Sequence, residues 1–309
     1  MRELIIDGTR IADDTECYVI AEIGHNHGGS LQTCKQMFDA AKWSGCNAVK
    51  LQKRDNKTLY TEEMYNAPYN SENAFGPTYG SHREALEFDR DQYNELRRYS
   101  SSIGISFFAT AFDIASADFL QELGVPAIKI ASGDLTNREL LWRAAKFDVP
   151  IILSTGGGDR TDVDLAWQEL HDDQIALLQC TSGYPAKYDE LNLKVIEDLR
   201  VTYPREVVGW SAHDTGIAMA PVAYALGARI IEKHFTLDRS MKGTDQAMSL
   251  EPKGMRHMIE NLHQCKLSLG DGIKRRYDSE NEPLKKQEKN AEGKIDGKGR
   301  YAPRLVSAA

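Results

Sequence analysis

Charged side chains lie inside or directly after short apolar runs of this sequence. Glu22 closes the run YVIAE, and two lysines are flanked by apolar residues, Lys50 in AVKLQ and Lys129 in AIKIA. Burying an unpaired ammonium group costs several kcal/mol unless an anion compensates it. The two lysines therefore indicate one of two arrangements: an ionic layer with Glu22 and Glu232, or a site for the phosphate and the carboxylate of a substrate.

Hydroxyl groups at the ends of other apolar runs suit the same kind of substrate. They belong to Thr110, Ser132, Ser154 and Ser211, and the turn Gly156-Gly157-Gly158 adds backbone N–H groups. Directed hydrogen bonds from hydroxyl and amide donors hold anions in proteins. Glycine is common in tight turns after strands, so the triple glycine by itself indicates little. Together with the lysines, these donors predict an anion site.

Two histidines, His213 and His234, end consecutive apolar runs in GWSAH and RIIEKH. Adjacent strands lie about 4.8 Å apart, so imidazoles at neighbouring strand ends can reach one metal ion. Imidazole and carboxylate ligands without a thiolate suit manganese, iron, cobalt or zinc. Two histidines buried in the core are the alternative. His25 and His27, in GHNHGG, form a second pair that we expect to shape the pocket rather than bind metal.

The apolar runs that carry these residues alternate with segments of helical period. Eight alternations predict a (β/α)8 barrel, because parallel strands need a long crossover that is usually a helix. An open doubly wound sheet is the alternative, which the lack of a GxGxxG motif after the first strand disfavours. Active sites of such barrels lie at the C-terminal strand ends, where these polar residues stand. The predicted strands are Tyr18–Glu22, Ala48–Gln52, Ser106–Ala109, Ala127–Ala131, Ile151–Ser154, Ile175–Cys180, Val207–Trp210 and Arg229–His234, and the predicted helices include Leu31–Trp43 and Arg138–Phe147.

Three further segments accompany the barrel, which we predict for residues 1–270. A hairpin is expected over Glu3–Ala12, turned by Asp7-Gly8. The connection Lys53–Asp89, rich in tyrosine and glycine, is expected to be a functional loop over the barrel mouth, with a disordered insertion as the alternative. Residues 271–309 are charged and glycine-rich, which predicts a tail rather than a second core.

The composition of the 309 residues limits the compartment and the partners. The five cysteines are widely spaced and form no CxxC pair, which indicates neither disulfides nor a cysteine zinc site and favours a reducing compartment. The first ten residues carry acids where a signal peptide is apolar, and no run approaches the roughly 20 apolar residues of a membrane span. We therefore expect a cytoplasmic protein. Its net charge of -8 disfavours nucleic acid and membrane surfaces as partners.

Several strings resemble motifs of the sialic acid synthase family. They follow the family's order at consistent spacing over residues 15–270, which makes the resemblance specific. The resemblance implies a (β/α)8 transferase that uses a divalent metal to condense phosphoenolpyruvate with N-acetylmannosamine or a related N-acyl amino sugar, releasing phosphate and forming an N-acetylneuraminate-type nonulosonate. The strings are AEIGHNHGGS, AVKLQKR, AIKIASGDLTN, ILSTGG, LLQCTSGYPA, GWSAHDTGIA and ARIIEKHFTLDRSMKGTDQAMSLEP.

The same resemblance implies roles for individual residues. It implies a metal, commonly manganese with magnesium or cobalt as alternatives, held by His213 and His234, and it implies that Glu22 is the catalytic acid/base. Ser182 stands where other members place an asparagine, and Asp134 where some carry a glutamate, which shifts the expected sugar contact. Phosphoenolpyruvate is implied to bind Lys50, Thr110, Lys129, Ser132, Ser154, Ser182 and Ser211, and the sugar to bind Gln52, Asp134, Tyr184 and Asp245.

The resemblance also implies a homodimer. Many family members carry an antifreeze-like domain that places an arginine over the partner's sugar, and this sequence ends too soon for such a domain. The candidates to replace that arginine are a basic residue of the tail and, in the long connection, Arg54 or Arg83. The sequence leaves three acceptor sugars open: N-acetylmannosamine, its 6-phosphate and a diacetamido sugar. Two other functions also stay open: an aldolase with a Schiff base on Lys129, and a non-catalytic sugar-binding barrel.

Overall fold

Eight parallel strands close into a barrel in the computed structural model of the chain, which describes residues 2–170 and 174–298. Each barrel strand pairs in parallel with the next one along the chain, and the last pairs with the first. The predicted (β/α)8 fold is confirmed. The barrel strands are β3 (Tyr18–Gly24), β4 (Ala48–Lys53), β5 (Ser106–Ala111), β6 (Ile128–Ile130), β7 (Ile151–Ser154), β8 (Ile175–Cys180), β9 (Val207–Ala212) and β10 (Ile230–His234).

Helices connect the barrel strands and begin and end at residues suited to these positions. The first one, Leu31–Ser44, begins after Ser30, whose hydroxyl accepts a hydrogen bond from the Thr33 amide, and it ends at Gly45 in the left-handed conformation. The helices are α1 (Leu31–Ser44), α2 (Asn56–Leu59), α3 (Glu62–Asn66), α4 (Tyr79–Glu84), α5 (Arg90–Ile103), α6 (Ile114–Leu123), α7 (Arg138–Ala144), α8 (Arg160–Leu170), α9 (Val195–Thr202), α10 (Met219–Ala225), α11 (Pro252–Leu269) and α12 (Asn281–Lys285).

Several strands differ in length from the apolar runs that predicted them. Strand β5 extends to Ala111 and β9 to Ala212, so each is two residues longer than its run. The extra residues pair with neighbouring strands, for example Thr110 with Gln52 and Ser211 with Cys180. The end of a strand therefore depends on the length of the neighbouring strand. An apolar run in the sequence does not contain this information. Conversely, β6 keeps three residues of its predicted five.

A two-stranded hairpin precedes the barrel, as predicted. Its strands are β1 (Glu3–Ile6) and β2 (Thr9–Ala12), and Asp7 and Gly8 in the turn both have positive φ. The Asp7 carboxylate accepts a hydrogen bond from Ser106, the first residue of β5. The hairpin therefore lies at the N-terminal ends of the barrel strands and leaves the opposite ends open.

The long connection between β4 and α5 contains helices α2, α3 and α4. Its aromatic side chains pack on one another: the Tyr79 ring lies 5.2 Å from that of Tyr60 and 5.4 Å from that of Tyr69, between ring centroids. Tyr65 donates a hydrogen bond to Glu84. These tertiary contacts, rather than a periodic apolar face, stabilise the short helices, so the sequence shows no helical period for them.

The chain divides into two compact units, residues 1–268 and 269–309. In its described part, the second unit contains a 3₁₀ turn at Asp278–Glu280 followed by α12, and an ion pair between Arg276 and Glu288. Most of its described side chains are exposed. Among the described residues, no helix is both long and apolar enough to span a membrane.

Gly209 of β9 fills a position inside the barrel where no larger residue fits. A Cβ atom there would lie 2.5 Å from both the Ile230 carbonyl oxygen and Leu178 Cδ2. We predict that Gly209→Ala lowers the free energy of unfolding by about 1–3 kcal/mol, because the barrel wall is forced apart. Urea denaturation measures this change.

The matched control is Gly254→Ala in α11, where the new Cβ lies 3.6 Å from Leu250, at ordinary contact distance. This variant is expected to gain about 0.4–1 kcal/mol, because alanine restricts the unfolded chain. Equal unfolding midpoints for Gly209→Ala and the unchanged protein would contradict the packing assigned to Gly209.

Candidate active site

A cavity of about 610 Å³ opens at the C-terminal ends of the barrel strands. Strand alternation explains its lining: Lys50 and Gln52 share one face of β4, and Glu232 and His234 share one face of β10. The structure brings together thirteen of the fourteen predicted site residues around this cavity. They are Glu22, Lys50, Gln52, Thr110, Lys129, Ser132, Ser154, Ser182, Tyr184, Ser211, His213, His234 and Asp245.

Asp134 is the predicted site residue that does not line the cavity. It ends the 3₁₀ turn Ser132–Asp134, and its carboxylate accepts a hydrogen bond of 3.0 Å from the Asn137 amide group. Asn137 is in turn the N-cap of α7. The tight turn after β6 therefore directs Asp134 toward the start of a helix, and its contact with a sugar stays a prediction.

A buried ionic layer lines the cavity. The Lys50 ammonium group is 2.7 Å from a Glu22 carboxylate oxygen and 3.7 Å from one of Glu232. Lys50 also donates a hydrogen bond of 2.6 Å to Thr110. The Glu22 carboxylate accepts a second hydrogen bond, of 2.8 Å, from the Gln52 amide. The ionic layer that the sequence suggested therefore exists for Lys50, and it lies on the wall of the cavity.

Lys129 has a different environment from Lys50. Its ammonium group donates hydrogen bonds of 2.6 Å to Ser154 and 2.9 Å to the Ile130 carbonyl oxygen. Burial lowers the pKa of Lys129, although Glu232 acts in the opposite direction. Without a carboxylate in contact, this buried cation is the better placed of the two lysines to bind an anionic substrate.

The two buried carboxyl groups have pKa values that differ in direction. Burial raises the pKa of Glu22, and this effect exceeds the lowering by Lys50. Burial also acts to raise the pKa of Glu232, but Lys129 and Lys50 outweigh it and lower the pKa. Neighbouring carboxyl groups of this kind divide the roles of proton donor and permanent anion in many active sites.

Hydroxyl and backbone donors converge on the triple-glycine turn after β7. The Gly156 amide donates a hydrogen bond of 3.0 Å to the Ser132 hydroxyl. A Cβ atom on Gly156 would lie 2.4 Å from the Ser182 hydroxyl and 2.8 Å from that of Ser132, so a side chain there would displace both. Glycine thus lets two serine hydroxyls approach the backbone closely at this position.

His213 and His234 lie side by side, with 5.4 Å between their ring centroids. His213 Nδ1 lies 2.9 Å from the Thr181 carbonyl oxygen, a contact that orients the ring and leaves Nε2 for a ligand. Burial lowers the pKa of His234 to about 4, so its ring is neutral near pH 7. Its Nδ1 is buried, has no hydrogen-bond partner among the described residues, and lies 3.8 Å from Asp245.

Burial acts to lower the pKa of His213, but Cys180 and the Thr181 carbonyl oxygen outweigh it and raise the pKa. The positions of the two rings, each with a nitrogen available to a ligand, fit two imidazole ligands of a divalent metal. Among the residues that the structure describes, no group of three or more His, Cys, Asp or Glu side chains forms a metal site by itself. Tyr184 covers the pair, with its ring centroid 4.2 Å from that of His213.

Comparison with protein-family profiles shows which family the chain belongs to. The profile of the NeuB family matches residues 37–274, which is more than half of the sequence. The chain belongs to the NeuB, or sialic acid synthase, family. Its members are condensing transferases of carbohydrate biosynthesis, and the chain is thus an enzyme of this class.

Relatives of the family match most of the chain. An N-acetylneuraminate-9-phosphate synthase of Drosophila melanogaster is 41% identical over 81% of this chain and 68% of its own. An N,N'-diacetyllegionaminic acid synthase of Legionella pneumophila is 38% identical over 85% of this chain and 76% of its own. The crystal structure of an N-acetylneuraminic acid synthetase from Leptospira borgpetersenii superposes with a TM-score of 0.80 at 31% identity, covering 92% of this chain and 95% of that one.

Four further residues line the cavity: the sequence suggested Glu232 for the ionic layer and Arg54 or Arg83 for the sugar, and Thr244 was missed. Glu232 lies on the same strand face as His234, so alternation along the strand was a signal for it. Arg54, Arg83 and Thr244 lie on connections between elements, where no periodicity indicates direction. All four line the cavity. His25 and His27, predicted to shape the pocket, do not line it: the His27 ring stacks on Phe88 at 4.2 Å between centroids.

A second buried ion pair positions the two histidines. Lys233, whose side chain points away from the cavity, donates hydrogen bonds of 2.5 Å to the Asp214 carboxylate and carbonyl oxygens. Both side chains are 2% exposed. Because Lys233 precedes His234 and Asp214 follows His213, this pair holds the chain segments of both imidazoles together.

We predict that Lys233→Met lowers the free energy of unfolding by about 3–5 kcal/mol, because it leaves the Asp214 carboxylate buried and unpaired. Adding Asp214→Asn should recover part of the loss, which a double-mutant cycle in urea measures. The exposed pair of Lys187 and Glu190 provides the control, since Lys187→Met should change stability by less than about 0.5 kcal/mol. Strictly additive effects at Lys233 and Asp214 would contradict the pairing.

Proposed function

We propose that this enzyme condenses phosphoenolpyruvate with the open-chain form of an N-acyl amino sugar and releases inorganic phosphate. One observation carries the proposal: Lys129, with its hydroxyl partner Ser154, lines the same cavity as Glu22, His213 and His234. This cavity combines donors for an anionic substrate, an acid/base group and two imidazoles. The names of the Drosophila and Legionella relatives support an amino sugar as the second substrate.

In the proposed reaction, C3 of phosphoenolpyruvate attacks the aldehyde carbon of the sugar. A carbon-carbon bond forms, and the aldehyde oxygen takes up a proton. Water then adds at C2, and the bond from C2 to the phosphate oxygen breaks. The products are inorganic phosphate and a 2-keto acid with three additional carbon atoms, so atoms and charges balance.

The protein's own residues have distinct parts in this proposal. Lys50 and Lys129 offset the charges of the phosphate and carboxylate groups, in a site that contains little water and strengthens such interactions. Ser132, Ser154 and the turn at Gly156 orient the phosphate by hydrogen bonds. Glu22, whose pKa is raised by burial, is suited to donate the proton to the aldehyde oxygen and to take one from the attacking water.

His213 and His234 would hold the divalent metal in this proposal. Manganese is the metal that the family resemblance favours, and a bound metal would supply Lewis-acid polarisation of the aldehyde. The proposal is supported by the neutral state of His234 and by its unpaired Nδ1. Tyr184 and Asp245, which lie beside these rings, are proposed to contact the sugar.

The deciding experiment measures inorganic phosphate released from phosphoenolpyruvate with manganese and N-acetylmannosamine, its 6-phosphate or a diacetamido sugar. We expect release that requires a sugar and stops when EDTA is added. Mixtures without sugar are the control for spontaneous hydrolysis. Absence of release with every sugar would overturn the proposal. Borohydride trapping of a substrate adduct on Lys129 would then support the aldolase, and sugar binding without any reaction would support a binding protein.

His213→Ala and His234→Ala are each expected to lose bound metal and phosphate release together, because each removes one of two protein ligands. Metal content after gel filtration in manganese, measured by mass spectrometry, reports binding independently of activity. The control is His257→Ala, on an exposed position of α11, which should keep both properties. Full manganese content in both active-site variants would contradict the assignment of the ligands.

A further inference from the structure

Two arginines lie on the connection that follows β4, and both line the cavity. Arg54 comes directly after the strand and is 7% exposed, with its guanidinium carbon 3.6 Å from the centroid of the Phe112 ring. Arg83 lies in α4 and is half-buried. In the described ranges 2–170 and 174–298, neither has a carboxylate within the 4.0 Å of an ion pair. Buried cations without a nearby anion are unfavourable, unless a ligand supplies the negative charge.

His25 lies between the two guanidinium groups and cannot satisfy both. Its Nε2 is 3.3 Å from Arg54, and its Nδ1 is 3.4 Å from Arg83. Burial and both arginines lower the pKa of His25 well below its ordinary value, so the ring is neutral. A neutral imidazole has one acceptor nitrogen, and the other carries a proton. One of the two arginines therefore has an N–H group that faces His25 without an acceptor.

Other contacts of Arg83 leave further donor capacity. One guanidinium nitrogen donates a hydrogen bond of 2.8 Å to the Tyr79 hydroxyl, while its Nε is buried without a partner. Of the nearby acidic groups, Glu87 accepts a hydrogen bond of 2.9 Å from Lys53 and lies 3.6 Å from His25, and Asp245 lies 3.8 Å from His234. Neither carboxylate forms an ion pair with the two arginines, so their N–H donors are available to a ligand in the cavity.

We propose that Arg54 and Arg83 form an anion site for a phosphate group carried by the acceptor sugar. The inference rests on the function proposed above. Planar guanidinium groups bind phosphate through paired hydrogen bonds, and two of them match a dianion. The site has other residues than the lysine site, because both arginines lie on the connection after β4 and contact His25, Tyr79 and Phe112. A reaction between two phosphorylated substrates needs two such cationic clusters.

The test compares N-acetylmannosamine 6-phosphate with N-acetylmannosamine at saturating phosphoenolpyruvate and manganese. We expect Arg83→Met to raise the KM of the phosphorylated sugar roughly 10- to 100-fold, the effect of losing charge-assisted hydrogen bonds. The KM values of the neutral sugar and of phosphoenolpyruvate should change less than about twofold. Arg83→Lys should recover part of the affinity, because it restores the charge without the paired geometry.

Arg54→Lys tests the second arginine with less risk to folding than removal of the charge. It should show the same selective loss for the phosphorylated sugar. Arg90→Met is the matched control, because Arg90 is exposed and pairs with Glu122 outside the cavity. A thermal melt of each variant confirms that it is folded. A larger effect on the KM of phosphoenolpyruvate would assign the arginines to that substrate's phosphate and overturn the proposal.

A direct binding measurement tests the anion site independently of the proposed condensation. Calorimetric titration of the unchanged protein with N-acetylmannosamine 6-phosphate, without phosphoenolpyruvate, should show binding that Arg83→Met weakens at least tenfold. If no sugar yields phosphate in the assay, this titration still decides the anion site. Equal affinity for the phosphorylated and the neutral sugar, in the unchanged protein and in Arg83→Met, would overturn the anion site even if the condensation occurs.

Discussion

The contact of Lys50 with Glu22 and Glu232 depends on closure of the barrel. The three residues lie on β4, β3 and β10, and β10 pairs with β3 because the last strand of the barrel meets the first. An open sheet would leave Glu232 far from Lys50 and the ammonium group without its second carboxylate. Because a buried charge without partners is costly, the ionic layer and the closed barrel support each other.

The same closure explains how one cavity obtains residues from distant parts of the sequence. Parallel strands place all C-terminal ends on one rim, so a polar residue at each end reaches a common space. Rigid strands carry Glu22, Glu232, Gln52, His234 and the two lysines, while the connections carry Ser132, Ser182, His213, Tyr184, Asp245 and the two arginines. Most groups proposed for the acceptor thus lie on the connections. This division agrees with the variety of sugars in the names of the relatives.

Two buried lysines with different surroundings illustrate how the partners of a buried charge determine its role. Lys233 donates its hydrogen bonds to two oxygen atoms of Asp214 and lies outside the cavity. Its role is therefore to position the chain segments that carry the two histidines. Lys129 has neutral partners and lines the cavity, so its charge is available to an anion. Lys129 lies between two isoleucines and Lys233 between Glu232 and His234, but neither context shows which lysine has a carboxylate partner.

Much of the fold and of the site followed from the sequence, because both depend on local alternation. Eight apolar runs with helical segments between them determined the barrel, and a polar residue at the end of each run determined most of the cavity wall. The family motifs then determined which of these residues have proposed roles. Strand ends such as Ala111 and Ala212 were not predictable, because they depend on the neighbouring strand.

Only the tertiary structure decided the features that depend on residues distant in the sequence. It turned Asp134 toward Asn137, placed Glu232 beside Lys50, and gave the long connection three short helices. It also placed Arg54 and Arg83 around His25, where the sequence had left several basic residues as equal candidates. The physical reason is the same in each case. The direction of a side chain on a turn, and the charge beside it, depend on segments that the chain brings together only when it folds.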